Sequence, residues 1–193
     1  MLELQNIGYA VEEGNTRKEI LKNISLKIDD RFVAITGPNG GGKSTLAKII
    51  AGINKPTSGK ILLDGEDITD LSVTERANKG ISFAFQQPVR FKGITVLDLI
   101  RISVGHDLTV SQACEYLSEV GLCARDYIHR EVNSSLSGGE LKRIEIATSL
   151  ARSAPLSIFD EPEAGIDLWS FQNLVQVFEG MKRRLHGSIL IIS

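Results

Sequence analysis

The chain carries the stretch Gly37-Pro38-Asn39-Gly40-Gly41-Gly42-Lys43-Ser44-Thr45, which completes the pattern G-x-x-x-x-G-K-[ST] without a substitution. Its glycines allow the backbone to curl so that successive N–H groups point inward at phosphate oxygens. Lys43 adds a positive charge that can reach the β- and γ-phosphates, and Ser44 offers a hydroxyl to Mg²⁺. The alternative is a glycine-rich surface turn. The pattern predicts a binding site for nucleotide phosphates.

The residues on both sides of this loop favour the phosphate-site interpretation over the surface turn. Residues 32–36 are an apolar run that predicts a short buried strand, and residues 46–51 predict a helix that ends at Gly52. A helix N-terminus that faces a triphosphate adds its dipole to the field of the loop. The segment is therefore expected to form a strand, a phosphate-binding loop and a helix.

The composition limits the classes of function. The chain has 193 residues, of which 42% are hydrophobic and 24% charged, with a net charge of −2. This length suits one large domain, or one domain with an inserted lobe. Because a nucleic-acid partner favours a strongly basic face, we expect none here. Cys114 and Cys123 match no metal or redox spacing, and neither a signal peptide nor an apolar run of about 18 residues is found.

Strand and helix patterns alternate along most of the chain. Near the N-terminus, strands are predicted at 2–4, 7–11 and 24–28, with a turn at 12–15. The last of these strands alternates apolar and polar residues, as a half-buried antiparallel strand does. Further strands are predicted at 61–65, which runs into a turn, and at 81–85, 156–160 and 188–193. Strands that alternate with helices favour a mainly parallel α/β sheet.

Two helical regions complete the predicted architecture. Residues from about 89 to 135 contain no strong strand pattern, and Thr95 and Thr109 have the features of helix N-caps, so this region predicts a helical lobe inserted into the core. Nearer the C-terminus, an apolar stripe at helical spacing is expected to pack in the core. Its members are Phe171, Leu174, Val175, Phe178, Met181 and Leu185.

Two further motifs add chemistry to the phosphate loop. Asp160 and Glu161 end a predicted buried strand, where acids lie beside the phosphate loop of an open α/β sheet. Asp160 can hold Mg²⁺ through water, and Glu161 can polarise an attacking water molecule. The alternative is an acidic pair that caps the next helix. The run Leu136-Ser137-Gly138-Gly139-Glu140 precedes a helix and predicts a second anion site, with an ordinary helix start as its alternative.

In order and spacing, these motifs resemble those of the ABC ATPase superfamily. In that family Gly37 to Thr45 correspond to the Walker A loop, Leu136 to Glu140 to the signature motif, and Asp160-Glu161 to Walker B with the catalytic glutamate. Residues 165–167 correspond to the D-loop. The resemblance implies a P-loop NTPase core of the ABC type with an N-terminal antiparallel β subdomain. Residues 1–88 and 136–193 would form the nucleotide-binding core, and residues 89–135 the inserted helical subdomain.

The resemblance also implies a role for each site residue. Tyr9 would stack on adenine, and Gly37 to Thr45 would hold the phosphates of ATP. Glu161 would be the general base. The implied Mg²⁺ ligands are Ser44, Gln86 and Asp160. The resemblance further implies a head-to-tail homodimer that encloses two MgATP. In it, the γ-phosphate of the ATP bound to the facing subunit would be contacted by Ser137, Gly138 and Gly139, and Asp167 would lie at the dimer seam.

One departure from the family pattern concerns the last strand. The family places a switch histidine directly after the strand that ends here at Ser193, and none of His106, His129 and His186 occupies that place. The resemblance therefore implies that a C-terminal part with this histidine is missing. We expect the 193-residue chain to bind ATP but to be impaired in turnover.

Within the superfamily, several stretches resemble the SufC-type ATPases of iron–sulfur cluster assembly. These stretches are 70–77, 83–89, 132–133 and 142–146. The implied function is an ATPase that drives conformational change in a SufB/SufD-like scaffold protein and is cytoplasmic. The alternative is the nucleotide-binding subunit of an ABC membrane transporter, peripheral on the inner face of the membrane, which the proline after Glu161 favours. A non-hydrolysing ATP-sensing module is the alternative from another class.

Overall fold

The fold was analysed in a computed structural model, which describes residues 1–14, 16–165, 168–184 and 187–193. Two four-stranded sheets and seven helices are found in this part of the chain. The strands are β1 (Leu2–Glu13), β2 (Thr16–Ile28), β3 (Phe32–Ile35), β4 (Ser58–Leu63), β5 (Glu66–Asp67), β6 (Ile81–Ala84), β7 (Leu156–Asp160) and β8 (Ser188–Ile192). The helices are α1 (Lys43–Ile50), α2 (Val73–Asn78), α3 (Val96–Val104), α4 (Val110–Glu119), α5 (Ala124–Tyr127), α6 (Gly138–Arg152) and α7 (Leu168–Arg184).

The first sheet is antiparallel, in the order β2-β1-β4-β5. The short strands predicted near the N-terminus are parts of two long ones, because irregularities of register at 4–10 interrupt the alternating pattern without breaking the pairing. Glu12 pairs with Arg17 inside the hairpin, so the predicted turn at 12–15 starts too early. Gly14 turns the chain with a φ of +63°, and Asn15 lies outside the described residues.

The second sheet is parallel, in the order β3-β8-β7-β6. All five residues of β7 are buried, as predicted, since helices cover both faces of a central parallel strand. Strand β3 is only half buried, which corrects the prediction of a buried strand, because it lies at the edge of the sheet. Since parallel strands end at the same edge, β3 delivers the phosphate loop and β7 delivers Asp160 to one side of the molecule.

Helices α3, α4 and α5 lie between β6 and α6, in the region predicted to be a helical lobe. Thr95 and Thr109 cap α3 and α4 in complete capping boxes, so both predicted helix starts are confirmed. Ile100 and Leu117 are fully buried, and helices α3 and α4 pack against α6. Helix α6 therefore joins the lobe to the core.

Helix α7 buries only part of its predicted apolar stripe. Leu174, Phe178 and Met181 are buried, and the Phe178 ring packs edge-on against Phe159 with centroids 4.9 Å apart. Phe171 and Val175 are each 42% exposed, so the expectation that they lie in the core is wrong. They are four residues apart and therefore neighbours on the helix surface. Leu185 lies outside the described residues.

Among the helices of the described residues, none is both long and apolar enough to cross a membrane.

Candidate phosphate and metal site

The phosphate loop turns into α1 at Gly42, which has a φ of +84° and precedes the first helical residue. A Cβ atom at this position would lie 2.7 Å from Cδ2 of Leu21 and 3.2 Å from the carbonyl oxygen of Ile20. Both the left-handed backbone and the close approach of β2 therefore require glycine. Among the described residues, no side chain caps the N–H groups of the first turn of α1.

The ammonium group of Lys43 lies across this loop. Its Nζ donates hydrogen bonds to the carbonyl oxygens of Gly37, at 2.8 Å, and Pro38, at 3.1 Å, and the residue is 9% exposed. Gly41 N–H donates to the same Pro38 carbonyl at 3.1 Å. An ammonium has three N–H donors, so one remains for a ligand. Lys43, which the sequence predicts to bind phosphate, therefore also holds the two ends of the loop together through these hydrogen bonds.

Asp160 is 1% exposed at the carboxyl end of β7. Its Oδ1 finds no hydrogen-bond partner in the described part of the chain. A buried carboxylate oxygen without a partner is costly unless it coordinates a cation or an ordered water. Ser44, at the start of α1, supplies a half-buried hydroxyl. These oxygens fit a magnesium ion, which takes few protein ligands and completes its shell with phosphate oxygens and water.

Glu161 follows Asp160 in a strained conformation, with a φ of +43°. Its N–H donates to the carbonyl oxygen of Ile192 at 2.9 Å, so the parallel sheet holds the turn. The side-chain amide of Gln86 donates from Nε2 to Oε2 of Glu161 at 2.5 Å. Because a carboxylate only accepts, the amide nitrogen must face it, and the amide oxygen of Gln86 stays available to another partner.

A cavity of about 270 Å³ brings Gly42, Lys43, Ser44 and Glu161 together, whereas Asp160 and Gln86 are not part of its lining. It is lined by Lys18, Ile20, Gly40, Gly41, Gly42, Lys43, Ser44, Thr45 and Glu161. Lys18 and Ile20 were missed by the sequence reasoning. They lie on β2, and a signal for them exists in the i, i+2 spacing that puts both side chains on one face of that strand.

The structure does not bring every predicted residue to this cavity. Tyr9 is half buried on β1 opposite Leu21 and packs against the apolar core between the first sheet and α1. Asn39 belongs to the exposed part of the loop. Asp167 and His186 lie outside the described residues, and His106 and His129 are exposed. A stacking role for Tyr9 stays a prediction.

Ser137 is the N-cap of α6 in a complete capping box with Glu140. Oε2 of Glu140 accepts from Ser137 N–H at 2.7 Å, and the hydroxyl of Tyr127 donates to the other carboxylate oxygen. The hydrogen bonds from Tyr127 and Ser137 hold the pKa of Glu140 below its usual value. Ser137 and Gly139 line a second cavity of about 480 Å³, separate from the phosphate loop.

The described residues contain no cluster of three or more His, Cys, Asp or Glu side chains that could hold a metal. The side chains of Ser44, Gln86 and Asp160 offer a hydroxyl, an amide oxygen and a carboxylate, and their role as magnesium ligands stays a prediction. Such a ligand set also needs the phosphates of the nucleotide to complete it.

Comparison with known proteins identifies the family. Residues 21–164 match the family model described as ABC transporter, and the chain belongs to this family. Its ATP-binding domains bind ATP with Mg²⁺. The predicted superfamily and fold class are thereby confirmed.

Curated relatives carry transporter names. An uncharacterized ABC transporter ATP-binding protein of Methanocaldococcus jannaschii is 41% identical over 192 residues, which cover 95% of this chain and 76% of that protein. A probable ATP-dependent transporter of Cyanidium caldarium is 33% identical, covering 99% of this chain and 79% of its own length. The lipopolysaccharide export system ATP-binding protein LptB of Haemophilus influenzae is 31% identical, and the match covers 90% of this chain and 73% of that protein. None of these names supports the finer resemblance to SufC-type ATPases.

Solved structures share the fold. An ATP-binding cassette captured as a dimer in a post-hydrolysis state with ADP and Pi superposes with a TM-score of 0.87 and 27% identity, covering 100% of this chain and 88% of that one. A putative ABC transporter ATP-binding protein from Pyrococcus furiosus gives a TM-score of 0.80 and 25% identity, covering 100% and 90%. The class of enzyme is thus an ABC-type ATPase.

Proposed function

We propose that this chain is the ATP-hydrolysing, nucleotide-binding subunit of an ABC membrane transporter, and that it works as a homodimer around two MgATP. The observation that carries the ATPase part is the partnerless Oδ1 of buried Asp160, at the sheet edge where Lys43 and Glu161 line one cavity. The transporter names of the relatives favour a membrane partner over an assembly scaffold.

The phosphates of ATP are held by residues 37–45. The free N–H groups of the loop and of the first turn of α1 point a positive field at the phosphates, and the third N–H of Lys43 adds a fixed charge. Ser44, Gln86 and Asp160 would hold Mg²⁺ together with the nucleotide. When bound, the ion neutralises charge that develops on the transferred phosphoryl group.

Glu161 is the general base in this proposal. It lines the phosphate cavity, and the amide of Gln86 fixes one of its oxygens, which leaves the other to orient an attacking water molecule. Gln86 can donate to Glu161 and present its amide oxygen to the metal at the same time. One side chain therefore aligns the base with the reacting phosphate.

The dimer follows from the separation of the two anion sites. Ser137, Gly138 and Gly139 line or border a cavity apart from the phosphate loop of their own chain, so they serve the nucleotide of a facing chain. Asp167, between β7 and α7, is assigned to the seam. The dimeric state of the solved cassette supports this arrangement.

The partner face is assigned to the segment after β6 and its contacts with the lobe. Phe85 and Val89 are 37% and 46% exposed, and with half-buried Phe91 they border an apolar groove of about 200 Å³. An apolar segment of a membrane subunit fits this groove. The SufB/SufD-like scaffold remains the second candidate, on the sequence stretches at 83–89 and 142–146.

The ATPase assignment is tested by Glu161→Gln, with Glu163→Gln as its matched control. Glu163 lies two residues further on and contacts the hydroxyl of Ser193 instead of the cavity. Glu161→Gln is expected to lower turnover by about 100-fold or more because it removes the base, while ATP still binds and an ATP-dependent dimer accumulates in size-exclusion chromatography. Turnover that survives Glu161→Gln but falls in Glu163→Gln would reject the proposed base.

The partner assignment is tested by purification from the native source. Recovery with a multi-span membrane protein after detergent extraction supports the transporter proposal, whereas recovery with a SufB-like scaffold without detergent supports the second candidate. Phe91→Asp should release either partner, since it places a charge in the apolar groove, and ATP affinity should stay unchanged.

A further inference from the structure

A buried ion pair lies on α6, one turn after the Ser137-Gly138-Gly139 segment. Lys142 is 3% exposed, and its Nζ lies 3.2 Å from Oε2 of Glu145, whose side chain is 17% exposed. At this distance the ammonium and the carboxylate attract each other directly. Burial raises the pKa of Glu145 against the opposing effect of Lys142. A buried pair of this kind is weak ground for stability alone, because desolvation offsets the attraction.

Both members of the pair hold the backbone directly after β6. Oε1 of Glu145 accepts from the N–H of Phe85 at 2.9 Å. Nζ of Lys142 donates to the carbonyl oxygen of Phe85 and lies 3.5 Å from that of Gln86. Strand β6 ends at Ala84, so these polar groups are no longer held by strand pairing. The ion pair replaces the sheet as the support of this segment.

The supported segment carries Gln86, whose side chain reaches Glu161. A continuous set of contacts therefore runs from the first turns of α6 through the backbone of residues 85–86 to the carboxylate of Glu161. The side chain of Gln86 is exposed, whereas the Phe85 ring packs edge-on against Phe83 with centroids 4.9 Å apart. The backbone polar groups of Phe85 and the carbonyl of Gln86 are bonded by the ion pair in addition to this packing. The bonds from Lys142 and Glu145 thus hold the backbone from which the side chain of Gln86 extends.

We infer that Lys142 and Glu145 are positioning residues, which hold Gln86 against Glu161 and connect the Ser137 end of α6 with the hydrolytic end of the phosphate site. The inference rests on the proposed function for its effect on turnover, and on geometry alone for the support of the 85–86 backbone. A purely structural pair would stabilise the fold without acting through Gln86.

A double-mutant cycle separates these two roles. Lys142→Met should lower kcat about tenfold in the parent chain and less than about twofold in a Gln86→Ala background, because the side chain through which it acts is gone. The affinity for ATP should change less than about twofold in both backgrounds, since the phosphate loop is untouched. Equal losses in the two backgrounds would overturn the inference.

The matched control is Arg152→Met on the same helix. Arg152 also donates from a cation to a backbone carbonyl, that of Ala77 at 2.8 Å, but at the far end of α6. It should lower the melting temperature and give the same kcat change with and without Gln86. If Lys142→Met does not fold, two variants replace it: Lys142→Arg, which keeps a donor to the Phe85 carbonyl, and Glu145→Leu, which removes the acceptor of the Phe85 N–H. Only Glu145→Leu should lose turnover.

A second measurement does not depend on hydrolysis. The amide proton of Phe85 should exchange with solvent at least about tenfold faster in Glu145→Leu than in the parent, since its acceptor is removed, and Glu145→Gln, which keeps an acceptor oxygen, should protect it. Unchanged exchange would overturn the inference. Activity that persists in Glu161→Gln would instead reject the proposed function and leave the exchange result to decide the support of residues 85–86.

Discussion

Helices α1 and α6 both begin with glycines that are assigned to phosphate, yet their N-termini differ. Gly42 precedes α1 in a left-handed conformation without a side-chain cap from the described residues. Ser137 precedes α6 in an extended conformation and forms a full capping box with Glu140. The first helix therefore offers its N–H groups and dipole to a ligand, whereas the second satisfies part of them with its own carboxylate.

The difference indicates two modes of recognition. In the proposed function, cation and backbone donors at α1 act on the phosphate from within one chain, so we expect this site to supply the larger part of the binding energy. The carboxylate of Glu140 at α6 opposes a second anion, so we expect this site to contribute less and to act on the nucleotide of a facing subunit. Substitutions at α1 should therefore change ATP affinity of the monomer, and substitutions at α6 should change fold stability and dimerisation.

The largest effect is expected from Lys43→Ala. Removing the cation that donates across the loop should weaken MgATP binding by about 100-fold or more, that is about 2.8 kcal/mol at 1.4 kcal/mol per factor of ten. Isothermal titration calorimetry measures this change. Lys48→Ala, in the last turn of α1, is the control and should bind as the parent does. Equal affinities of Lys43→Ala and Lys48→Ala would remove the basis of the comparison.

The next effect concerns the glycines of the two helix starts. Gly42→Ala combines a positive φ with a Cβ only 2.7 Å from Leu21, and should cost about 3 kcal/mol of folding stability. Gly40→Ala shares the positive φ but meets no atom within 4 Å, and should cost about 1 kcal/mol. Gly139→Ala has neither constraint and should leave the monomer's melting temperature unchanged. Equal melting temperatures of Gly42→Ala and Gly40→Ala in thermal unfolding would contradict this order.

The same contrast explains what the sequence could predict. The phosphate loop, the acidic pair after β7 and the capping boxes are local patterns, so spacing alone located them. The i, i+2 spacing puts Lys18 and Ile20 on one face of β2, but it does not tell that this face lies beside Gly42, which is a contact between residues far apart in the sequence. Helical periodicity placed Phe171 on the apolar face of α7, but it does not report how much of that face the rest of the protein covers, and Phe171 is 42% exposed.

A smaller effect is expected from Ser137→Ala. It removes the side-chain acceptor of the Glu140 N–H and should cost about 1 kcal/mol, which lowers the melting temperature by about 3 °C. Ser72→Ala removes the equivalent cap of α2 and should cost a similar amount. Only Ser137→Ala should also weaken the ATP-dependent dimer seen in size-exclusion chromatography. A dimer weakened equally by both variants would separate α6 from nucleotide recognition.

The smallest effect is the acid dependence of the α6 cap. The hydrogen bonds from Tyr127 and Ser137 lower the pKa of Glu140 in the folded chain below its usual value of 4.5. A carboxyl group whose pKa is lowered in the folded chain stabilises the fold at pH values above its usual pKa. This stabilisation is lost as the pH falls through the lowered pKa. When the pH falls from neutral to below 4.5, the melting temperature of Glu140→Gln should therefore decrease less than that of the parent, with a difference of about 1 °C between the two decreases.

Tyr127→Phe tests the cause of that acid dependence. It removes the hydrogen bond that contributes most to the lowered pKa of Glu140 but keeps the one from Ser137. The melting temperature followed from neutral pH to below 4.5 should then fall between those of the parent and Glu140→Gln. A curve for Tyr127→Phe that coincides with the parent would assign the cap to Ser137 alone. With either result, the group that caps the start of α6 within a single chain is the carboxylate of Glu140 and not the phosphate of a ligand. In the described residues, α1 has no side chain that caps its start in this way.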